Sequence, residues 1–258
     1  MLGLSNNLFG SSSLTPYSEW ALSFDGVDDY VSFGDLDIFT PNNSGANRGF
    51  SMSFWVKTPG VSEPVFSKAA KWYSGSSRYE YKAQINFEGK LKFYFYSGQS
   101  QDHSITFKIQ TPLSFNEWHH VVLAWDLGTD PNSFQGHIDG IAHNAVIGNA
   151  EIAETGTFVS VDNSVAPLDL VKHSQGYGNI MLDEFALFDD VLSDAQAISI
   201  YSGGSPGDLS SIPHLIGWWR CGDSAGPSVY PTLADFSSNS NTGEMINMDT
   251  GDIVSDTP

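Results

Sequence analysis

Short segments with apolar side chains at alternate positions dominate this sequence, and this period of two restricts the fold more than any other feature. It is clear in residues 20–24, 50–56 and 91–96, and residues 119–125 and 134–138 are further apolar segments of strand length. Successive side chains of a β-strand point to opposite faces, so the pattern predicts strands with one buried face. The chain is therefore expected to consist mainly of β-strands.

The turns and the one predicted helix complete this picture. Asp139-Gly140 directly follows residues 134–138 and is a pair that favours a tight hairpin turn. Ser193 is a good N-cap for a helix over residues 194–201, which stops before Gly203-Gly204. About a dozen short strands with one short helix indicate an all-β, two-sheet sandwich. No linker divides the 258 residues, so one domain is expected.

The formal charge of −19 is unevenly distributed along the chain. Nine of the 11 basic residues lie between Arg48 and Lys108, and acids dominate elsewhere. Binding phosphate needs clustered Lys and Arg, so nucleic acid and anionic membranes are not expected as partners. No segment has the roughly 20 apolar residues of a membrane span, so membrane insertion is not expected either. An acidic surface suits divalent cations, but it also fits solubility alone.

The N-terminal residues differ in composition from the rest of the chain. Residues 1–19 are rich in Ser, Gly and Asn with isolated Leu and Phe, which predicts an arm that docks on other structural proteins. The folded domain is then expected over residues 20–258. The N-terminus lacks both a basic region and a long apolar region, so no secretory signal is expected.

Four segments carry motifs in a recognisable order. They are residues 22–31 with Phe24-Asp25-Gly26, residues 50–57, residues 116–122 with Trp118-His119-His120, and residues 181–189 with Leu182-Asp183-Glu184. Together they resemble the laminin-G-like family of concanavalin-A-like jelly-roll domains. The resemblance extends over about residues 20–205 and implies an antiparallel two-sheet jelly-roll sandwich with one short helix. It is much less specific for function than for fold.

The segment 215–258 follows the predicted helix. Within it, residues 215–220 and 235–243 resemble an element that often precedes the opening strand of such domains. Its position here predicts a permuted order, in which segment 215–258 closes the domain by completing the sheets. The alternative is a truncated second copy. This arrangement and the N-terminal arm also resemble domains of tailed-phage structural proteins.

Domains that this chain resembles often carry a structural calcium ion at the rim of the sheets. The resemblance implies Asp25 and Asp183 as ligands, with Asp29 as a third. Calcium takes 6–8 oxygen ligands, which a few carboxylates, backbone carbonyls and waters can supply. The alternative is that Asp25 and Asp28 only shape a turn with Gly26 through hydrogen bonds between their side chains and the backbone.

Aromatic and basic side chains are concentrated in one short region, which makes it the candidate ligand-binding surface. The candidates are Trp72, Arg78, Tyr79, Tyr81, Tyr94 and Tyr96. Spacing by two predicts that Tyr79 and Tyr81 share one face of a strand, and that Tyr94 and Tyr96 share another. Such a surface suits a glycan or a protein partner equally. Ordinary sheet packing, with the tyrosine hydroxyls in water, is the alternative.

No sequence motif indicates catalysis. The patterns Glu-x-Asp-x-x-Glu and His-Glu-x-x-His do not occur, and the two Gly-x-Ser-x-Gly matches, at residues 203–207 and 222–226, are not followed by the predicted helix that a catalytic serine turn needs. The leading hypothesis is a non-catalytic module that binds a glycan or a protein surface, as part of a phage virion or another extracellular assembly. A decoration protein of a virion without a soluble ligand is the second hypothesis, and a glycan-cleaving enzyme is the third.

Overall fold

The computed structural model describes residues 18–41, 49–71, 77–98, 102–174, 176–222 and 229–258. In chain order the strands are β1 (Ala21–Ser23), β2 (Tyr30–Ser32), β3 (Phe50–Lys57), β4 (Glu63–Lys71), β5 (Ser77–Ile85), β6 (Lys90–Tyr96), β7 (Ser104–Pro112), β8 (Trp118–Trp125), β9 (Phe134–Ile138), β10 (Ile141–His143), β11 (Ala150–Thr155), β12 (Leu168–Leu170), β13 (Lys172–His173), β14 (Gly176–Tyr177), β15 (Met181–Phe188), β16 (Leu215–Trp219), β17 (Thr232–Leu233), β18 (Gly243–Ile246) and β19 (Ile253–Val254). The helix α1 spans Asp194–Tyr201, and short 3-10 turns cover Asp37–Phe39 and Thr250–Asp252. Most of the predicted arm, residues 1–17, lies outside the described residues.

The strands form two large antiparallel sheets that pack face to face. The first sheet has the order β10-β9-β8-β3-β15-β1-β19, with β16 also paired to β15, and the second has the order β11-β7-β6-β5-β4-β12-β2-β18-β17. A separate ribbon joins β13 and β14. This architecture confirms the prediction of an all-β, two-sheet jelly-roll sandwich with one short helix. Within the described residues, no helix is long and apolar enough to cross a membrane.

The core lies between the two sheets and is rich in aromatic rings. Phe54 of the first sheet contacts Phe66 of the second with ring centroids 5.8 Å apart, and Phe95 contacts Trp125 at 4.2 Å. These four side chains are 3% exposed or less. Full burial of one such side chain stabilises a fold by about 1.5–3 kcal/mol, so the alternating apolar positions supply most of the driving force.

Strands β1 and β16 share one edge of β15. Leu22 of β1 pairs with Leu182 at one end of this edge, while β16 pairs with residues 185–188 at the other end. The last strand, β19, pairs with β1, and β18 pairs with β2 in the second sheet. Segment 215–258 therefore contributes strands to both sheets.

A bulge in β15 separates the two strands that share its edge. It lies between Asp183 and Ala186, and its first residue, Glu184, has a φ of 49°, in the left-handed region. Asp183 accepts a hydrogen bond from the hydroxyl of Ser18, before β1. Glu184 accepts hydrogen bonds from Trp218 Nε1 at 2.5 Å and from Arg220 Nε at 3.1 Å, both in the C-terminal segment. The two buried carboxylates thus connect β15 to Ser18, just before β1, and to the end of β16.

Helix α1 covers the outer face of the first sheet. Its N-terminus has a capping box in which the Ser193 hydroxyl accepts from the backbone N–H of Gln196, as the N-cap prediction requires. At its other end, Tyr201 stacks on Trp55 and His120 at 5.8 and 6.0 Å. One outer face of the sandwich is therefore closed by a second hydrophobic cluster.

A buried ion-pair network closes one end of the core. Lys68 and Glu80 are both fully buried, and Lys68 Nζ lies 2.9 Å from Glu80 Oε1 and 3.0 Å from Asp35 Oδ1. Glu80 also accepts hydrogen bonds from the hydroxyls of Thr40 and Ser164. The network ties the loops that follow β2 and precede β12 to the second sheet.

Candidate functional site

Three aspartates meet in the turn that follows β1. One carboxylate oxygen from each of Asp25, Asp28 and Asp29 lies within 4.8 Å of the other two. This group of three aspartates is here called the acidic turn. Oxygens on opposite sides of a calcium ion are separated by up to about 5 Å, so the donor set fits this ion. Asp25 Oδ1 also accepts a hydrogen bond from the N–H of Val27 at 2.7 Å, as expected for a turn. The arrangement therefore suits either interpretation made from the sequence.

Asp25 and Asp29 differ in burial and in the direction in which their pKa values are shifted. Asp29 is buried, and its pKa is raised to about 6 because burial disfavours the charged form and because Asp25, Asp252 and Asp28 are close. The hydrogen bond from Val27 lowers the pKa of Asp25 instead. A cation in the acidic turn would relieve the repulsion at Asp29.

Asp183 lies outside the acidic turn. It is fully buried in β15 and accepts hydrogen bonds from Ser18 Oγ and from the N–H of Glu184 at 2.7 Å. The backbone N–H of Phe24 donates a hydrogen bond to the carbonyl of Ile180, just before β15. Asp25 therefore lies beyond the end of the β1–β15 pairing, on the side away from Asp183. The structure thus brings together two of the three predicted ligands, Asp25 and Asp29, and adds Asp28.

A second bulge changes the predicted faces of β5. The register with β4 shifts between Lys68 and Ala69, so that β5 has one extra residue, Glu80. A bulge reverses the faces of the residues that follow it. Tyr81 therefore points into the core, where it is fully buried and its hydroxyl donates to the carbonyl of Phe39 at 2.8 Å. Tyr79 packs on the outer face instead. The prediction that both tyrosines share one face is wrong, because the alternation was counted across this bulge.

The remaining candidates surround one half-buried ring, Tyr94, on the outer face of the second sheet. Tyr96 is parallel to Tyr94 with centroids 6.2 Å apart, and Tyr79 lies against Tyr96 at 5.2 Å. Lys82 Nζ and Lys92 Nζ lie 4.6 and 4.7 Å from the centroid of the Tyr94 ring. Lys92 and Tyr96 flank Tyr94 along β6, so neighbouring side chains on the same strand lie against the ring.

The last two predicted ligand residues are Trp72 and Arg78. Trp72 lies outside the described residues. Arg78 is half-buried near the start of β5, where it lines a small cleft of about 40 Å³ together with Tyr79 and Asp162.

Sequence reasoning missed a cleft beside these tyrosines. Strand pairing places Asp169 opposite Ser67, Ser67 opposite Lys82, and Lys82 opposite Tyr94, so these side chains form one row on the outer face. The β13–β14 ribbon stands over this row, and Ser67 Oγ donates to the carbonyl of Lys172 at 2.8 Å. The resulting Asp169 cleft has a volume of about 320 Å³ and is lined by Ser67, Ala69, Pro167, Asp169, Lys172, His173 and Ser174.

Asp169 is the polar group of this cleft with an unused acceptor. Its side chain is 3% exposed, and its Oδ2 lies 3.1 Å from Lys172 Nζ. Its Oδ1 has no hydrogen-bond partner in the part of the chain that the structure describes. A buried acceptor without a donor is costly, by about 1–3 kcal/mol, so a donor from solvent or from a ligand is expected here.

Ser114, His119 and Asp139 form a chain of hydrogen bonds at another edge. His119 Nδ1 lies 2.7 Å from Asp139 Oδ2, which raises the pKa of His119, and His119 Nε2 lies 2.8 Å from Ser114 Oγ. These contacts resemble a Ser-His-Asp triad. However, the Ser114 hydroxyl also donates to Glu117 at 2.5 Å, and its backbone N–H donates to His119 Nε2. The Glu117 carboxylate would oppose the oxyanion that acyl transfer creates.

The fold and the site define a class of protein: antiparallel two-sheet sandwiches with one outer face closed by a helix and a polar, cleft-bearing face on the other sheet. The chain belongs to the laminin G-like family that is described as the concanavalin A-like lectin/glucanases superfamily, whose family model matches residues 25–197. The resemblance inferred from the sequence motifs is thereby confirmed. No curated protein sequence matches the chain.

Solved structures share the fold at low sequence identity. A protein from Bacteroides ovatus that is described as carbohydrate-binding is similar with a TM-score of 0.57 and 10% identity, over 90% of this chain and 59% of its own length. A heptameric SAP-like pentraxin from Limulus polyphemus has a TM-score of 0.49 and 14% identity, over 72% of this chain and 83% of its own. A sialidase from Trypanosoma rangeli has a TM-score of 0.44 and 11% identity, over 70% of this chain and 27% of its own. Such identities show the fold alone.

Proposed function

We propose that this protein is a carbohydrate-binding module whose ligand occupies the Asp169 cleft. The carrying observation is Asp169 Oδ1, a buried acceptor without a donor in a concave site. Sugar hydroxyls are the donors that such a carboxylate accepts. The volume of about 320 Å³ is at the lower end of the roughly 300–1,000 Å³ of small-molecule sites, which favours a sugar unit over a flat protein surface. The likeness to a protein that is described as carbohydrate-binding agrees with this function.

A glycan array with the intact protein tests the proposal. We expect binding to a defined set of saccharides, and an affinity about tenfold or more weaker for Asp169→Ala, because a hydrogen bond to a charged acceptor is lost. Asp194→Asn is the matched control, since Asp194 lies on helix α1 at the opposite face of the sandwich and binding should be unchanged. Absence of any bound saccharide, or equal binding by Asp169→Ala, would contradict the proposal.

We infer that the module binds its glycan without cleaving it. Asp183 and Glu184 are buried, and they accept hydrogen bonds from Ser18 and Trp218. Ser114 Oγ donates its hydrogen bond to Glu117. A glycoside hydrolase needs two carboxyl groups about 5–9.5 Å apart across a site. Among the described residues that line the cleft, Asp169 is the one residue with a carboxyl group. Prolonged incubation with the bound glycan should release no new reducing ends, and their appearance would point to an enzyme.

We propose that calcium binds the acidic turn and stabilises the fold. Asp25, Asp28 and Asp29 would hold the ion, with backbone carbonyls and waters completing its shell. The ion would supply positive charge next to the buried Asp29 carboxylate. It would fix the turn between β1 and β2, which connects the two sheets.

We also propose that the module is displayed on a larger assembly, such as a virion or another extracellular particle, through residues 1–17. The segment leads into Ser18, which is buried against Asp183, so a tether would start from a fixed point on the first sheet. This point lies on a different sheet from the Asp169 cleft. Deletion of residues 1–17 should abolish incorporation into the particle and leave saccharide binding intact.

A further inference from the structure

Two lysines on the outer face of the second sheet form no ion pair with any of the residues that the structure describes. Ion pairs join Lys57 to Asp256, Lys68 to Glu80, Lys90 to Glu88, Lys108 to Glu151, Lys172 to Asp169 and Arg220 to Glu184. In the described part of the chain no ion pair includes Lys82 or Lys92, here called the lysine pair. Acids outnumber bases by 30 to 11 in this chain, so a carboxylate neighbour would be the ordinary outcome.

The two ammonium groups of the lysine pair lie next to the same aromatic ring. Both ammonium groups lie within 4.7 Å of the centroid of the same ring, that of Tyr94. Burial lowers the pKa of Lys82, and the nearby charge of Lys92 lowers it further. Burial and the charge of Lys108 likewise lower the pKa of Lys92, while the carboxylate of Glu151 raises it by a smaller amount. A negatively charged group bound between the two ammonium groups would relieve this repulsion.

The lysine pair and the Asp169 cleft belong to one row of side chains. Asp169 is opposite Ser67, and Ser67 is opposite Lys82. Two strand spacings of about 4.8 Å place Asp169 and Lys82 roughly 10 Å apart across the sheet. A ligand that spans this distance meets an acceptor at one end and two cations at the other.

We propose that the outer face of the second sheet binds an acidic oligosaccharide across the strands, with a neutral sugar unit on Asp169 and a negatively charged substituent on Lys82 and Lys92. The proposal rests on the carbohydrate-binding function proposed above and names its ligand class. Tyr94, whose ring lies next to both ammonium groups, adds its hydroxyl as a further hydrogen-bonding group for the charged unit.

Matched pairs of oligosaccharides test this assignment. Each uronic-acid chain is offered beside its methyl ester, and each sulfated chain beside its desulfated form, so only the charge differs. We expect the charged member of at least one pair to bind about tenfold more tightly, and its binding to weaken as ionic strength rises from about 0.05 to about 0.5 M. A preference for the uronate or for the sulfate identifies the substituent.

The double variant Lys82→Gln/Lys92→Gln should lose this preference and its salt dependence while it still binds the neutral member. Lys57→Gln removes one charge on the other sheet and is the matched control, and unchanged thermal melting confirms that each variant is folded. Equal binding of both members by the wild type, or a preference that survives in the double variant, overturns the assignment but leaves the carbohydrate-binding function standing. Binding of no saccharide at all overturns both.

Discussion

Lys68 and Glu80 form an ion pair of 2.9 Å in which neither side chain is exposed to solvent. Glu80 reaches this position because it is the extra residue of the bulge in β5. The bulge therefore has two effects: it supplies the anion for a buried cation, and it turns Tyr79 to the outer face, where it packs against Tyr96.

Removal of Glu80 should strongly destabilise the fold. In Glu80→Ala, Lys68 keeps only the partly exposed Asp35 as a charged partner, and we expect the free energy of unfolding to fall by about 3–5 kcal/mol in urea denaturation. Asp256→Ala breaks the more exposed pair with Lys57 and should cost about 1 kcal/mol or less. Similar losses in the two variants would show that the buried network is not important for stability.

Calcium should raise the melting temperature through the acidic turn. A ligand at 100 times its dissociation constant adds about 2.7 kcal/mol, so a chelator should lower the melting temperature by several degrees. Asp25→Asn should abolish the calcium effect, whereas Asp190→Asn, elsewhere on the surface, should retain it. If the chelator does not change the melting of the wild type, the acidic turn is only a turn.

The pH dependence without calcium should expose the burial of Asp29. Its pKa is raised to about 6 in the folded protein, above its value in the unfolded chain, so its contribution to stability is present below about pH 4 and is lost as pH rises through 6. In chelator at pH 7.5, Asp29→Asn should therefore be more stable than the wild type by about 2 kcal/mol, and the difference should vanish near pH 4. A variant that is less stable at pH 7.5 would contradict this.

Acid should destabilise the protein through His120. Burial beneath helix α1 lowers the pKa of His120 to about 3, so its contribution to stability is present above about pH 6.5 and is lost as pH falls toward 3. Between pH 7.5 and 5 the wild type should lose about 2 kcal/mol more than His120→Gln in urea denaturation. The control substitution His103→Gln, at an exposed histidine, should leave the pH dependence of the free energy of unfolding as it is in the wild type. Parallel pH profiles for the wild type and His120→Gln would exclude this role.

Deletion of segment 215–258 should unfold the protein. It removes β16, β17, β18 and β19 from both sheets, with the buried Trp218 and Trp219. Burial of one large side chain is worth about 1.5–3 kcal/mol and a whole domain is stable by only about 5–15 kcal/mol, so the loss should exceed the stability of the fold. A soluble 1–214 fragment with a cooperative thermal transition would show that the segment is an appendage.

Deletion of residues 1–17 should have the opposite result. Ser18 and its hydrogen bond to Asp183 remain, and every described strand is retained. The melting temperature should change by no more than a few degrees. Insoluble protein after this deletion would show that the segment belongs to the sandwich.

Local signals in the sequence predicted much of the fold. The bounds of β9 agree with residues 134–138, and Asp139 and Gly140 have φ values of 52° and 74°, as a tight hairpin turn requires. The capping box of α1 is equally local, because Ser193 and Gln196 lie three residues apart. Such features depend on neighbouring residues, so the sequence alone defines them.

The site depends on features that act over long distances. The bulge at Glu80 leaves no mark in the alternation of β5, because its partner Lys68 lies on another strand. Asp169 lies between two leucines in a strand of three residues, and only its pairing with Ser67 and Ser32 places it in the same row of side chains as Lys82. Asp183 is a further example. The motif that contains it implied a metal ligand, but its hydrogen bond with Ser18, 165 residues earlier in the chain, could not be predicted from the sequence.

The carbonyl of Ser18 accepts a hydrogen bond from the Thr257 hydroxyl at 3.4 Å, and β1 pairs with β19 in antiparallel register. The two ends of the described chain therefore leave the sandwich side by side. Force that pulls them apart would open the β1–β19 pair one hydrogen bond at a time, like a zipper, instead of shearing all its bonds together. A domain with this geometry resists tension poorly when it is linked in series, but it is well suited to insertion as a whole into a surface loop of a host protein.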